Sequence, residues 1–259
     1  MTERPSLRLS ALYRYSVKGL SPERIEIATL ETSGYFPGDR LYAIENGDSG
    51  FNPVAPRHQP KTKYLMLMRD EALARLRTRY DEASATLTVE TGDGTRLDAD
   101  LGTPEGRAAL EDLMRTILPE ALRGEPRVLT APPQYRFTDS RIGYVSLINL
   151  ASVRAIAEFV GAPVDPLRFR SNLLVEGLEP WAELDMVGAV LDGPDGLRLR
   201  LTQRTQRCAA TNVDPVSGLR DLEIPWTLDE RLGHRDCGIY AEVVAGGTLR
   251  AGDTLKVAA

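Results

Sequence analysis

Between residues 197 and 202 the chain alternates strictly, with Leu197, Leu199 and Leu201 apolar and Arg198, Arg200 and Thr202 polar. Successive strand side chains point to opposite faces, so this segment demands a sheet with one face in a core and the other toward water. Short runs of the same kind occupy residues 7–15, 24–27, 40–44 and 64–68, with turn residues between them. The first hundred residues therefore read mainly as antiparallel strands. Residues 46–60 hold Gly47, Gly50, Pro53, Pro56 and Pro60, which makes a long loop. A short helix is expected from Asp70.

A hairpin is predicted from residues 85–89, turning at Gly92-Asp93-Gly94. The helix after it carries Leu110, Leu113, Met114 and Ile117 on one face, with Thr103 as cap and Pro104 in its first turn. Residues 129–140, with Pro132-Pro133, read as a linker, so the chain divides into residues 1–128 and 129–259. The second part opens with a strand at 145–148 and a helix capped by Asn149 and stopped by Gly161 and Pro163. Thr227 and Glu230 have capping-box spacing, which predicts a short helix ending at Gly233. The remainder, with its Gly246-Gly247 turn and Gly252-Asp253, reads as a β-meander.

Composition narrows the function. At 259 residues and 42% hydrophobic the chain can bury a real core. No apolar run is long enough to span a membrane, and the N-terminus is charged from its third residue, so a soluble cytoplasmic protein without a membrane partner is expected. A net charge of −5 with no basic run argues against a nucleic-acid partner. Of the 32 basic residues only Lys18, Lys61, Lys63 and Lys256 are lysines, a bias that genome composition alone can produce. Neither GxxxxGK[ST] nor GxGxxG occurs. Two cysteines are too few for a disulfide framework, and with His58 and His234 they lack the paired short-range spacing of a structural zinc site. Those two histidines read as solvated imidazoles rather than as parts of a Cys-His hydrolase.

Past the alternating strand the chain runs Gln203-Arg204-Thr205-Gln206-Arg207-Cys208. A thiol in a positive field ionises more readily, and thiolate attacks electrophiles or binds soft metals. A small buried hydrophobe is the competing reading of Cys208. Continued alternation puts Arg204 and Gln206 on one side and Gln203, Thr205 and Arg207 on the other. Cys237, beside Asp236, reads as structural. Gly38-Asp39-Arg40 taken alone is a turn leading into a strand.

The order of several motifs says more than any one of them. Tyr13-Arg-Tyr-Ser-Val-Lys18-Gly-Leu resembles the Y-P-V-K-S opening of MOSC N-terminal β-barrel regions, and Gly38-Asp39-Arg40 resembles the G-D-R that follows. Phe169-Arg170-Ser171-Asn172 is similar to the F-R-P-N of the MOSC domain. Gln206-Arg207-Cys208, Val213-Asp214-Pro215, Cys237-Gly238-Ile239-Tyr240 and Gly247 to Asp253 complete the series in family order. The resemblance covers residues 7–257 and implies a mainly β (α+β) fold. The implied architecture is a MOSC β-barrel at 129–259 behind an N-terminal β-rich module at 1–128, with a few short helices.

The resemblance further implies a molybdenum cofactor (molybdopterin), as in the mitochondrial amidoxime reducing component and its bacterial relatives. Carried over by position, Cys208 is the protein's sulfur ligand to the metal and the catalytic centre. Lys18, Arg40 and Arg170 bind phosphate and pterin, Asn172, Gln206 and Arg207 hold the ring system, and Tyr240 stands at the edge. The implied activity is reduction of N-hydroxylated or N-oxide-type small molecules, with electrons from an external donor protein of flavin, ferredoxin or cytochrome b5 type. The alternatives are a cofactor carrier or storage protein, and sulfur transfer through a Cys208 persulfide. Gly19, Ser171, Gln206 and Cys237 depart from the family pattern, as does Ile142-Gly143, where reducing relatives offer hydroxyls that Ser146 would replace.

Overall fold

The computed structural model describes residues 5–141 and 144–258. Ile142-Gly143 lies outside the described residues. The first half contributes β1 (Ser6–Arg14), β2 (Glu23–Ile25), β3 (Ile27–Leu30), β4 (Tyr42–Asn46), β5 (Arg77–Asp81), β6 (Thr86–Glu90), β7 (Arg96–Asp100), helix α1 (Pro104–Ile117) and β8 (Pro126–Thr130). In the second half come β9 (Val145–Asn149), α2 (Leu150–Val160), β10 (Leu173–Glu176), β11 (Val190–Asp192), β12 (Arg198–Gln206), α3 (Ile224–Leu232), β13 (Asp236–Ala245), β14 (Gly247–Arg250) and β15 (Thr254–Val257). Strands dominate, as the alternation predicts, and among the described residues no helix is long and apolar enough to cross a membrane.

Seven strands close on themselves in the order β10-β9-β13-β12-β11-β15-β1, because β1 also pairs with β10. Closure leaves these strands no free edge, the standing liability of a sheet. The parity of β12 puts Leu199 and Leu201 inside, where they meet Leu7, Leu9, Leu147, Val175, Ile239 and Leu255 in one core. Leu12 and Ala28 join that core from the first half of the chain, so β1 and β3 are packed with the second half. Helices α2 and α3 cover part of the outer face through Ile156 and Leu228, which meet Ile148, Leu174 and Cys237. Strand β9 is therefore buried on both faces, the reason its sequence does not alternate.

A separate core joins β4, β8, the β5-β6-β7 sheet and α1, with Leu110 and Met114 fully buried and Leu113 and Ile117 packed beside them. Thr103 caps α1 by accepting from the Gly106 N–H, and Asn149 caps α2 by accepting from the Ala151 N–H.

Three expectations fail. Residues 64–68 are not a strand; a single bridge from Tyr64 to Glu45 is their whole contribution to pairing. The closing segment is not a meander: β14 pairs with β3, and β15 pairs with β11 and β1. Thr227 is not a cap but lies inside α3, where its hydroxyl donates to the Glu223 carbonyl one turn back. The helix begins three residues earlier with Pro225 in its first turn, and does end at Gly233.

Candidate functional site

A cavity of about 640 Å³ opens between the barrel and the residues that follow β1 and β4. Lys18, Arg40, Arg170, Asn172, Gln206, Arg207, Cys208 and Tyr240 all line it, although they come from segments as far apart as residues 18 and 240. Lys18 arrives on a turn after β1, its N–H donating to Tyr42 O at 2.8 Å. Gly19 has φ +87°, and a Cβ there would stand 2.8 Å from Leu65 O. That close approach accounts for glycine after the lysine.

Arg40 and Arg170 both adopt left-handed backbone, φ 48° and 54°, a conformation that non-glycine residues keep only where the surroundings enforce it. The enforcement is visible. Arg40 N–H donates to Tyr15 O, its Nη2 donates to Arg170 O at 3.1 Å, and its Nη1 pairs with Asp39. Both guanidinium groups lie over the buried Tyr15 ring, Arg170 at 4.3 Å and Arg40 at 5.0 Å. Burial pulls Arg170 down to about 10, with Tyr15 opposing, while for Arg40 burial is outweighed by Asp39.

The other predicted residues divide by what their polar atoms already do. Asn172 is occupied: its Oδ1 accepts from Ser146 N–H and Oγ, and its Nδ2 donates to Tyr13 O, stitching β9 to β1. Arg207 donates from Nε to Cys237 O at 2.6 Å and from Nη1 to Phe169 O at 2.8 Å. Its Nη2 is buried with no partner. Gln206 is exposed at the rim, and burial pushes the Tyr240 phenol above its ordinary value against the pull of Arg207. Ser146 lines the cavity too, but its hydroxyl is spent on Asn172.

The positive neighbour of Cys208 is not the one its flanking sequence suggests. Arg204 turns away, donating to Leu184 O and pairing with Asp185, while Arg207 grips Cys237 O and Phe169 O. Lys61, from the end of the long loop, lines the same cavity wall and is the cation whose charge Cys208 favours. Burial works against the Lys61 ammonium, yet Cys208 and Asp139 together raise it above its ordinary value. Lys18 is drawn downward by burial, with Asp139 opposing. Despite burial, Asp139 itself is held well below the usual carboxylate range by Lys18, Lys61 and Arg40. Its side chain is half open and lines the cavity.

Asp139 and Lys61 are not singled out by the sequence, and His58, read there as a solvated imidazole, brings its ring to 3.3 Å from Asp139 O. Asp139 sits in the stretch read as a linker, where Phe137 is buried and its carbonyl accepts from Lys18. One signal was available. In a chain that uses arginine almost everywhere, two of the four lysines meet at this carboxylate.

The two cysteines are both free and differ sharply in setting. Cys237 is wholly buried, and burial pushes its thiol up to about 12, with Arg207 opposing. Cys208 is partly exposed on the cavity wall. Brief iodoacetamide treatment of the folded chain is expected to label Cys208 at least tenfold faster than Cys237, the difference vanishing in denaturant. Equal labelling of both by mass spectrometry of the folded chain would contradict these placements.

Comparison with known proteins supplies the lineage. The structure of the YUAD protein from Bacillus subtilis is similar over 99% of this chain and 98% of that chain, at 14% identity and a TM-score of 0.48. The structure of YiiM from Geobacillus stearothermophilus is similar over 46% of this chain and 56% of that chain, at 17% identity and a TM-score of 0.37. No curated protein sequence matches the chain. The family models are decisive: the MOSC N-terminal beta barrel domain matches residues 6–116, and the MOSC domain matches residues 134–256. With both models matched in succession across nearly its whole length, the chain belongs to the MOSC family.

Proposed function

We propose that the cavity binds the molybdenum cofactor and that the chain is an oxidoreductase of N-hydroxylated or N-oxide-type substrates. The observation that carries this is one partly exposed thiol, Cys208, on a cavity wall where Arg170 and Arg207 have no carboxylate of their own among the described residues. The MOSC family is associated with molybdenum cofactor binding. Among the described residues no three of His, Cys, Asp and Glu stand together as a metal site. A metal here therefore has to arrive with most of its ligands, as it does on a dithiolene pterin, and soft sulfur suits molybdenum as the protein's own ligand.

The residues present fit such a group. Arg170 and Arg40, backed by Lys18, supply charge for a phosphate, and the partnerless Nη2 of Arg207 is a buried donor that a ligand would satisfy. Gln206 and Tyr240 contribute from the rim and edge. Asn172 serves by tying β9 to β1 at the start of β10, since its amide is already engaged. When bound, the cofactor supplies two-electron chemistry at its metal; the protein's share is to orient it, balance its charge and limit water. With only two cysteines, the chain cannot hold a four-cysteine iron–sulfur cluster, which favours electrons from an external donor protein.

The test is elemental analysis with pterin fluorescence on the chain produced in a host that makes the cofactor. Stoichiometric molybdenum and pterin are expected, with Cys208→Ala losing most of the metal; full metal retention in that variant overturns thiolate ligation. Metal bound without reduction of any N-hydroxy compound by a supplied donor points to a carrier. A cyanide-labile sulfur on Cys208 without metal points to sulfur transfer.

A further inference from the structure

The two carboxylates of the cavity are held in different ways. Asp39 is 3% exposed and is fixed by the main chain, its Oδ1 accepting from the Tyr15 N–H at 2.8 Å while Oδ2 pairs with Arg40. Asp139 has no such main-chain anchor among the described residues. Among the described residues its carboxylate is met by ammonium groups alone, Lys18 in direct contact and Lys61 Nζ at 3.9 Å, and its side chain is half open and lines the cavity.

Lys18 explains why a carboxylate stands there. Its side chain is 8% exposed, and an enclosed ammonium without a negative neighbour is costly. Asp139 meets that need from the cavity side, where an entering ligand would also meet it. Lys18, Lys61, Arg40 and Arg170 all line this space, so the local charge balance favours whichever anion brings more charge. A phosphate group carries about −1.5 to −2 near neutral pH against −1 for the carboxylate, so the phosphate wins the shared cations. The displaced carboxylate already has half its surface in water and loses little on release.

We propose that Asp139 is a built-in counter-ion. It occupies the anion-binding side of Lys18 and yields it to an incoming oxyanion, so this carboxylate sets how tightly the cavity takes a phosphate-type ligand. The inference deepens the cofactor reading, on which the identity of the natural oxyanion rests, but its test does not need the cofactor.

The full-length chain, produced without cofactor, is titrated with inorganic phosphate by calorimetry at low ionic strength. Asp139→Asn and Asp139→Ala are each expected to bind about tenfold tighter than the parent, since both remove the competing charge. The gain is expected to disappear in the Lys18→Met, Asp139→Asn double variant, and Glu120→Gln, an exposed carboxylate on the far module, is expected to show none. Unchanged or weaker binding in both Asp139 variants overturns the inference, as does a gain that survives Lys18→Met or that Glu120→Gln reproduces. A chain that gains phosphate affinity in this way yet never carries molybdenum or pterin keeps this inference and loses the cofactor reading.

Discussion

Replacing Arg168 with methionine is expected to lower stability by about 3 kcal/mol, at the lower end of what breaking a buried ion pair costs. The Arg168 side chain is 2% exposed and is the hub of the segment after Cys208. Its guanidinium donates to both oxygens of Asp221, at 2.8 and 2.7 Å, and also reaches Asp214 at 3.2 Å and the Asn212 carbonyl at 3.2 Å. Methionine fills similar space but leaves two carboxylates without their cation, while the Asn212 carbonyl keeps only the Asp221 N–H. Both carboxylates are partly open to solvent, which keeps the loss from reaching the upper end of that range. Thermal unfolding should move down by roughly 6–12 °C for a chain of this size. Residues 209–221 should become more open to limited proteolysis, because this clamp is one of the ties that hold them, beside those from Arg75 and Arg77 to Ser217 O, Pro215 O and Val216 O. A midpoint within about 2 °C of the parent would show that the clamp is not what holds them.

Glu183→Ala is expected to cost a similar amount by a different route. Glu183 is wholly buried and has no ion-pair partner among the described residues. Neutral donors surround it instead: Ser152 Oγ at 2.8 and 2.9 Å, Asn149 Nδ2 at 3.1 Å and the Gly238 N–H at 3.3 Å. Alanine strands at least two buried donors, each costing roughly 1–3 kcal/mol, so a loss near 3 kcal/mol follows. The Gly238 contact ties this network to the site. Gly238 has φ +79°, and a Cβ there would stand 2.6 Å from Leu147 O and 2.8 Å from Arg207 Nη2, so the strand start, Arg207 and Glu183 are packed as one unit. Glu183→Gln keeps the volume and one acceptor oxygen, and should recover roughly half of the loss. If glutamine and alanine prove equally damaging in chemical denaturation, the acceptor pattern is not the stabilising feature.

Several parts of this molecule could be read locally because local rules decide them. Leu110 and Met114 lie on one helical face, Thr103 and Asn149 cap helices whose next residues supply free N–H groups, and Gly161 and Gly233 end helices in left-handed backbone. Thr227 shows the limit of the same reasoning. Its spacing to Glu230 satisfies the capping pattern, but tertiary packing of Ile224 and Leu228 started the helix a turn sooner. At the site, Cys208 and the cations Lys18, Arg40 and Arg170 were visible as motif positions, and they do converge on one cavity. Arg204 and Arg207, which precede the thiol in sequence, spend hydrogen bonds on Leu184 O and Cys237 O, a partner choice that the sequence does not carry.

By itself the sequence determined that this chain is built of strands, which of their faces are apolar, and that a thiol follows the end of one of them, because a period of two and the residues that break it act over a few positions. Only the tertiary structure decided that β1 closes the barrel against β10, and that Lys18, Lys61 and Asp139 meet beside Cys208. The reason is range. Strand pairing and charge pairing join groups more than a hundred residues apart, and their partners are chosen by the distances of the folded state, which no local pattern carries.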